Sequence, residues 1–409
     1  MQCGLRPVAA AVFLLAACGD GDEGRPTAAL GGPEPPPAAS DPSRFVFDES
    51  ELNDFHLTLA PDDWESILQD TRGDTYRIAT LRWKDVTLSP VGVRPSGSSS
   101  RYPGNPKMSL RFDFNVFVPG QKFMGLKSLK LDGLRETTMM RDSLSYGVFR
   151  AFLPATPRAA YCRLFVNGEY RGVYMAEERV TGDLIRHRYG GEDGNLYRLR
   201  VDRPEAFAYR GADPSLYLPE PWEPETNEQD GDHSVIPRFL DILNHRPSEL
   251  GSVCDLENVT LYLALEAVVI SRDGLLRDAG PPHNVHVYHR PATGRFELIP
   301  WDLDQTWAGA EVTRDIFHNF GNTRLAAVVR DTPTLRALYM SKIAFVLDRE
   351  AHPDRVAARI DVQYARIRQA VYEDPHKPIT NAQFDGYPDY LKRVARERAA
   401  FLRMQVSGP

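Results

Sequence analysis

The sequence predicts an α+β protein, strand-rich in its N-terminal half and helical in its C-terminal half. Three observations carry this. Short apolar–polar alternations bounded by turn residues dominate as far as about residue 200, the period of half-buried strands. From residue 332 onward apolar residues recur every three or four positions, in three long runs. Between them the apolar run Phe296-Glu297-Leu298-Ile299-Pro300 delivers Trp301-Asp302-Leu303-Asp304, two carboxylates two residues apart at the mouth of a strand.

At the N-terminus, Arg6 precedes an apolar stretch over 8–17 that ends in Leu15-Ala16-Ala17-Cys18. The stretch is too short to span a bilayer, and it resembles a bacterial lipoprotein signal (residues 1–18) in which Cys18 is lipidated. An exported, membrane-anchored product is the expectation. Residues 19–43 are rich in Gly, Pro and Ala, cannot bury a core and read as a disordered tether. One domain over 44–409 follows: a strand-rich part at about 44–200, an acidic, Pro- and aromatic-rich insertion over the site at about 202–232, and a metal-site and helical part at about 233–409.

Within it, 55–59 alternates as a strand, and Pro61 suits the first turn of a short helix. Strands continue over 76–83 and 91–93. The loop Arg94-Pro95-Ser96-Gly97-Ser98-Ser99-Ser100 has small residues whose N–H groups and hydroxyls can approach a phosphate, although composition alone reads it first as a surface turn. Lys107 opens the strand 107–114, where its ammonium reaches the same phosphates or only solvent. A strand over 127–131 and a helix over 138–152, stopped by Pro154 and Pro157, come next. Asn167-Gly168 suits a type I′ turn between strands 161–166 and 170–176; Glu177 and Glu178 follow, either able to pair with Lys107.

In the second half, helices are expected over 234–244, 258–270, 335–347, 355–372 and 390–405, with Thr332-Pro333 as a cap and first-turn proline. Asp273 stands just after the apolar helix. Asn284 opens an alternating strand, and Thr293-Gly294 turns it into 295–299, so Asn284 and Asp302 fall at the outer ends of one hairpin. If the chain stays extended past Pro300, Asp302 and Asp304 point the same way, a hard-oxygen pair suited to Mg2+ or Ca2+; otherwise one caps a turn and the other is solvated. An Asp after a helix, an Asn at a strand start and an Asp after the next strand can assemble a phosphoryl-transfer site, with a base for the acceptor hydroxyl and holders for the metal.

The chain has 409 residues, 42% hydrophobic and 26% charged, enough for a sizeable core. A net charge of −7 without a basic tract argues against nucleic acid as partner. Cys162 and Cys254, the two cysteines of the domain, either pair after export or are buried thiols.

Several stretches together resemble the CotH (spore coat protein H-like) kinase family over roughly 45–405. They are Gly92-Val93-Arg94 with Gly97–Ser100, Lys107-x-Ser109-x-Arg111, 140–146, 164–174, 194–197, 284–288 and 299–304. The resemblance implies an atypical, reduced protein-kinase-like fold that transfers phosphoryl groups from ATP, with Mg2+ or Mn2+, to Ser/Thr of surface or envelope proteins. By position it makes Asp273 the catalytic Asp and Asp302 the metal Asp, with Asn284 and Asp304 nearby. Arg94, Gly97, Ser99, Ser100 and Lys107 would line the phosphates, and Glu178 would be the family's Glu after the hairpin. The family usually has Arg-Gly-Asn-Ser-Ser where this chain has Ser96-Gly97-Ser98-Ser99-Ser100. Asp278 competes with Asp273, and Arg272 beside Asp273 would depress its basicity. A catalytically inactive surface or envelope binding module is the alternative, and a metal site that only stabilises the fold is a third. The kinase reading requires Asp302, Asp273 and Lys107 to converge on one nucleotide; a Lys107 turned away removes it.

Overall fold

Strands of the N-terminal half pair edge to edge until the ring closes. In the computed structural model, which describes residues 41–97, 101–191, 193–200, 206–278 and 280–407, β1 (Asn53–Thr58), β2 (Arg77–Trp83), β3 (Val86–Pro95), β4 (Leu110–Asp113) and β5 (Ser128–Asp132) run as an antiparallel meander. β6 (Ala159–Val166) and β7 (Glu169–Glu177) complete a closed barrel in the order β1-β2-β3-β4-β5-β7-β6, with β6 parallel to β1. Closure leaves no free edge, and Phe55, Phe112, Leu131 and Leu164 fill the interior from alternating positions. Asn167 and Gly168 take positive φ (51° and 87°), as the expected hairpin turn demands. Cys18 with the expected leader, most of the expected tether, and Ser99 and Ser100 lie outside the described residues.

Helix α1 (Pro61–Gln69) follows β1, and α2 (Arg141–Arg150) follows β5. A short α3 (Gly182–Tyr189) and β8 (Asn195–Leu199) follow β7. β9 (Trp222–Pro224), β10 (Val285–Arg290) and β11 (Arg295–Pro300) join β8 in a second sheet, ordered β11-β10-β8-β9. The expected insertion is therefore not simply a cover: it supplies an edge strand, and its Trp222 is fully buried in the larger core.

The remaining helices are α4 (Val235–His245), α5 (Leu256–Val269), α6 (Arg324–Asp331), α7 (Pro333–Leu347), α8 (Pro353–Glu373) and α9 (Asn381–Val406). α5 is apolar on every side and lies inside the larger core, with α2, α7, α9 and β11 against it. Pro333 opens α7 as expected, while the Thr332 side chain makes no cap bond. The α+β class and the strand-rich and helical halves hold. Cys162 and Cys254 are buried free thiols, and burial pushes both up in pKa. Among the described residues no helix is long and apolar enough to cross a membrane.

Candidate active site

The loop after β11 does not continue the strand. Asp302 takes a left-handed backbone, φ 55°, strained for a residue with a side chain. A turn, rather than the pleat expected above, brings Asp302 and Asp304 onto one cavity. α2 holds this turn in place. Tyr146 Oη accepts the Asp302 N–H at 3.0 Å, and Asp142 Oδ1 accepts the Leu303 N–H at 3.0 Å. Ser145 Oγ takes the Trp307 indole N–H at 2.9 Å and lies 2.8 Å from Thr306 Oγ1.

The second carboxylate comes from the end of α5. Ile270 turns the chain at φ 56°, and the loop behind it folds onto Glu266 of the same helix. Glu266 is buried; its carboxylate accepts the N–H groups of Leu275 (2.7 Å) and Leu276 (3.0 Å). Gly274 must be glycine here, because a Cβ would stand 1.8 Å from Glu266 Oε1. Burial, the larger effect, pushes Glu266 up to about 7 against those two donors. Asp273 is thereby presented to the cavity. Its Oδ2 accepts from Asn284 Nδ2 at 3.2 Å and lies 3.1 Å from His283 Nδ1, and its Oδ1 lies 2.7 Å from Arg277 Nε. The same Asn284 amide donates to the Asp302 carbonyl at 3.3 Å, so one side chain ties the two acidic loops together.

Asp278 lines the same cavity as Asp273 but is the more heavily engaged of the two. Arg272, Arg314, His318 and Asn319 all engage it, at 3.0 to 3.3 Å. Arg272 pairs with Asp278 and Glu311, and the ion-pair partner of Asp273 is Arg277.

Lys107 is a correction. β4 begins only at Leu110, and Lys107 lies in the turn before it, its carbonyl so close to Gly133 that a Cβ there would sit 2.0 Å away. The side chain runs inward to Asp374 Oδ2 (2.9 Å) and the Val173 carbonyl (2.5 Å), joining the barrel to the end of α8. Burial lowers its pKa and Asp374 opposes that. The convergence demanded of Lys107 fails, and the kinase reading in the form that required Lys107 falls with it.

Lys130 stands there instead. Its ammonium is 2.9 Å from Glu177 Oε2, 3.1 Å from Asp132 Oδ2 and 3.4 Å from Asp302 Oδ1. Lys130 and Glu177 are directly opposed on β5 and β7, a cross-strand pair that exists because the barrel closes past β6. Burial alone would lower Lys130; Asp302, Glu177 and Asp132 together hold it well above the usual ammonium range. Glu178 is the second correction. Alternation points it away from Glu177, and it is clamped by Arg158 (2.5 and 2.9 Å) and Arg188 (2.7 Å).

Two cavities meet at Gly97, Lys130, His283 and Asp302. One, of about 400 Å³, is acidic: Asp132, Glu136, Asp142, Asp273, Asp278, Asp302 and Asp304 line it, against Lys130, Arg135, Arg272 and Arg277. Burial and repulsion from Asp302 raise Asp304 well above the carboxylate range; burial, Glu177 and Asp302 do the same to Asp142. Asp142 Oδ2 is buried without a partner. The crowded oxygens of Asp142, Asp302 and Asp304, opposed by Lys130, have the chemistry a divalent cation takes, although among the described residues no three such side chains already converge on one point. The other cavity, of about 370 Å³, carries Arg94, Gly97 and Trp301 with a group of further arginines.

Of the residues expected at the site, the structure thus brings Asp273, Asn284, Asp302 and Asp304 together and sets Arg94 and Gly97 beside them. Lys130, Glu177, Asp142, Tyr146 and Glu266 were not foreseen as site residues. Lys130 left one trace, a lysine inside the apolar run Leu129-Lys130-Leu131.

Comparison with known proteins agrees with the motifs. The family model described as CotH kinase protein matches residues 93–402. Inner spore coat protein H of Bacillus subtilis (strain 168) is 26% identical over 372 residues, covering 88% of this chain and 99% of that protein.

Proposed function

The chain belongs to the CotH kinase family, and on that premise we propose that it is an exported, lipid-anchored protein kinase on a reduced kinase-like frame, transferring the γ-phosphoryl group of ATP to Ser or Thr of an envelope protein. The observation that carries the reading is the Lys130–Asp302 pair with Asp273 tied to it through Asn284. Export rests on the leader around Cys18 and agrees with a relative whose name is that of a spore coat protein.

In this reading the triphosphate lies where the two cavities meet. Lys130 neutralises its charge, and the Arg94–Gly97 loop approaches it from the barrel side. Asp142, Asp302 and Asp304 would hold Mg2+ or Mn2+, which supplies charge neutralisation on the phosphates. Asp273, oriented by Asn284 and Arg277, accepts the acceptor's hydroxyl proton as the oxygen attacks the γ-phosphorus and the β–γ bridging P–O bond breaks.

The test is incorporation of γ-labelled phosphate by residues 44–409 with Mg2+ or Mn2+, beside Asp302→Asn, Asp273→Asn and a chelator-treated sample. Label in the parent alone supports the kinase. Nucleotide binding without incorporation, in the presence of candidate acceptors, favours a non-catalytic binding module. Arg277 on the Asp273 carboxylate is the feature that favours that second reading, because it occupies the base.

A further inference from the structure

The arginine cavity carries more positive charge than one metal-bound triphosphate requires. Seven cationic side chains line it (Arg94, Arg101, Arg111, Arg179, Arg198, Arg200 and Lys130) against two carboxylates, Glu225 and Asp302. The excess is uneven. One end, at Gly97, Lys130, His283 and Asp302, is common with the acidic cavity. The opposite end, at Arg111, Arg179 and Glu225, opens into a third cavity of about 630 Å³.

At that far end the guanidiniums are poorly compensated. Among the described residues Arg179 has no carboxylate within ion-pair distance, and its recorded hydrogen bond is to Ser128 Oγ at 3.2 Å. Arg111 meets Asp113 only at 3.9 Å and keeps a buried Nε without a partner. Arg198 is held by Glu223 at 2.7 Å and meets Glu225 at 3.9 Å. Between them His286 is 4% exposed, lines the cavity, and has a buried Nδ1 with no hydrogen-bond partner. Burial and the neighbouring Arg198 and Arg179 hold that imidazole neutral, near 3, so with its proton on Nδ1 it donates without adding charge. Burial, then Arg111, lower Arg179 to about 10 against the opposing Glu225, so it remains a cation at neutral pH. Like charges gathered in a cleft around an unused ring nitrogen leave positions for an anion unfilled. Guanidinium forks match the paired oxygens of a phosphate.

We propose that Arg111, Arg179 and Arg198, around His286, form a binding site for a phosphate group, separate from the phosphoryl group transferred at Asp302. The site goes beyond the kinase reading and is tested without turnover. Its ligand is either the free ion or a phosphorylated side chain reaching in along the third cavity, and the two are told apart by the probe.

The experiment is calorimetric titration of the whole chain with inorganic phosphate, a phosphoserine peptide and its unphosphorylated twin, with and without saturating non-hydrolysable ATP analogue and Mg2+. Saturable phosphate binding that survives the nucleotide and the Asp302→Asn change, and weakens at least tenfold in Arg179→Gln, is expected. Arg198→Gln, at the more exposed rim, repeats the test if Arg179→Gln unfolds. A phosphoserine peptide that binds at least tenfold tighter than its twin assigns a phosphorylated protein segment; phosphate binding with both peptides indifferent assigns the free ion. Phosphate displaced by the nucleotide, or lost with Asp302→Asn, overturns the separate site and gives the arginines to the nucleotide. Loss of nucleotide binding with phosphate binding intact would instead count against the kinase reading alone.

Discussion

Replacing Lys130 and Lys107 by methionine, one at a time, separates the two buried lysines by role. Each substitution leaves a buried carboxylate. Lys107→Met strands Asp374, whose side chain is fully buried but still accepts the N–H groups of Val173 and His376 at 2.9 and 2.8 Å. Breaking a buried pair from one side costs about 3–5 kcal/mol, so this variant should lose that much stability. Lys130→Met strands Glu177, fully buried as well. Burial already pushes Glu177 up to about 8, so at neutral pH it mostly carries a proton and is stranded as a neutral acid, and the loss should fall near ~3 kcal/mol. The functional consequences diverge. Lys130 faces the junction of the cavities, and a charged contact to phosphate contributes about 1.5–3 kcal/mol, so Lys130→Met should weaken nucleotide binding roughly 10- to 100-fold. Lys107→Met should leave the affinity of the folded fraction unchanged. Urea unfolding gives the first quantity, and titration with a fluorescent ATP analogue under conditions where both variants are folded gives the second. Equal loss of nucleotide affinity in the two variants, or parent-like binding by Lys130→Met, would refute the assignment of Lys130 to the site.

Three further outcomes follow from the same geometry. Glu266 is raised to about 7 in the folded protein from an ordinary 4.5, so the folded state holds the extra proton in that window and this group's contribution to stability falls as pH rises from about 4.5 to about 7. The change totals ~3 kcal/mol, and Glu266→Gln should remove it; parallel urea stabilities for parent and variant at pH 5 and 7.5 would contradict this. Gly274→Ala drives a methyl group into Glu266 and should cost about 1–3 kcal/mol while displacing Asp273, read as a loss of label incorporation larger than the loss of folded protein. Tyr146→Phe removes the acceptor of the strained Asp302 N–H; a loss of about 1–2 kcal/mol is expected, together with a higher Mg2+ requirement for nucleotide binding, and an unchanged Mg2+ midpoint would argue against α2 as the support of the Asp302 loop.

What the sequence by itself determined is what local patterning encodes. Alternation and the Asn167-Gly168 turn specified the β6–β7 hairpin; three- and four-residue spacing specified α7, α8 and α9; and the hairpin of β10 and β11 was enough to set Asn284 beside Asp302. The order of Asp273, Asn284 and Asp302 along the chain already carried the candidate chemistry. The tertiary structure decided which charged groups meet across distant segments. Lys107 and Lys130 look alike in sequence, each a lone lysine beside the apolar residues of a short strand. Closure of the barrel puts β5 against β7, so Lys130 opposes Glu177, while the docking of α8 brings Asp374 under Lys107 and removes it from the cleft. Glu177 and Glu178 are adjacent, and pleating alone sends one to each face, but the face that meets the site is fixed by which strand packs beside β7. Chain order fixes short-range geometry through the backbone's two dihedrals, whereas the partner of a buried charge depends on segments up to 267 residues away.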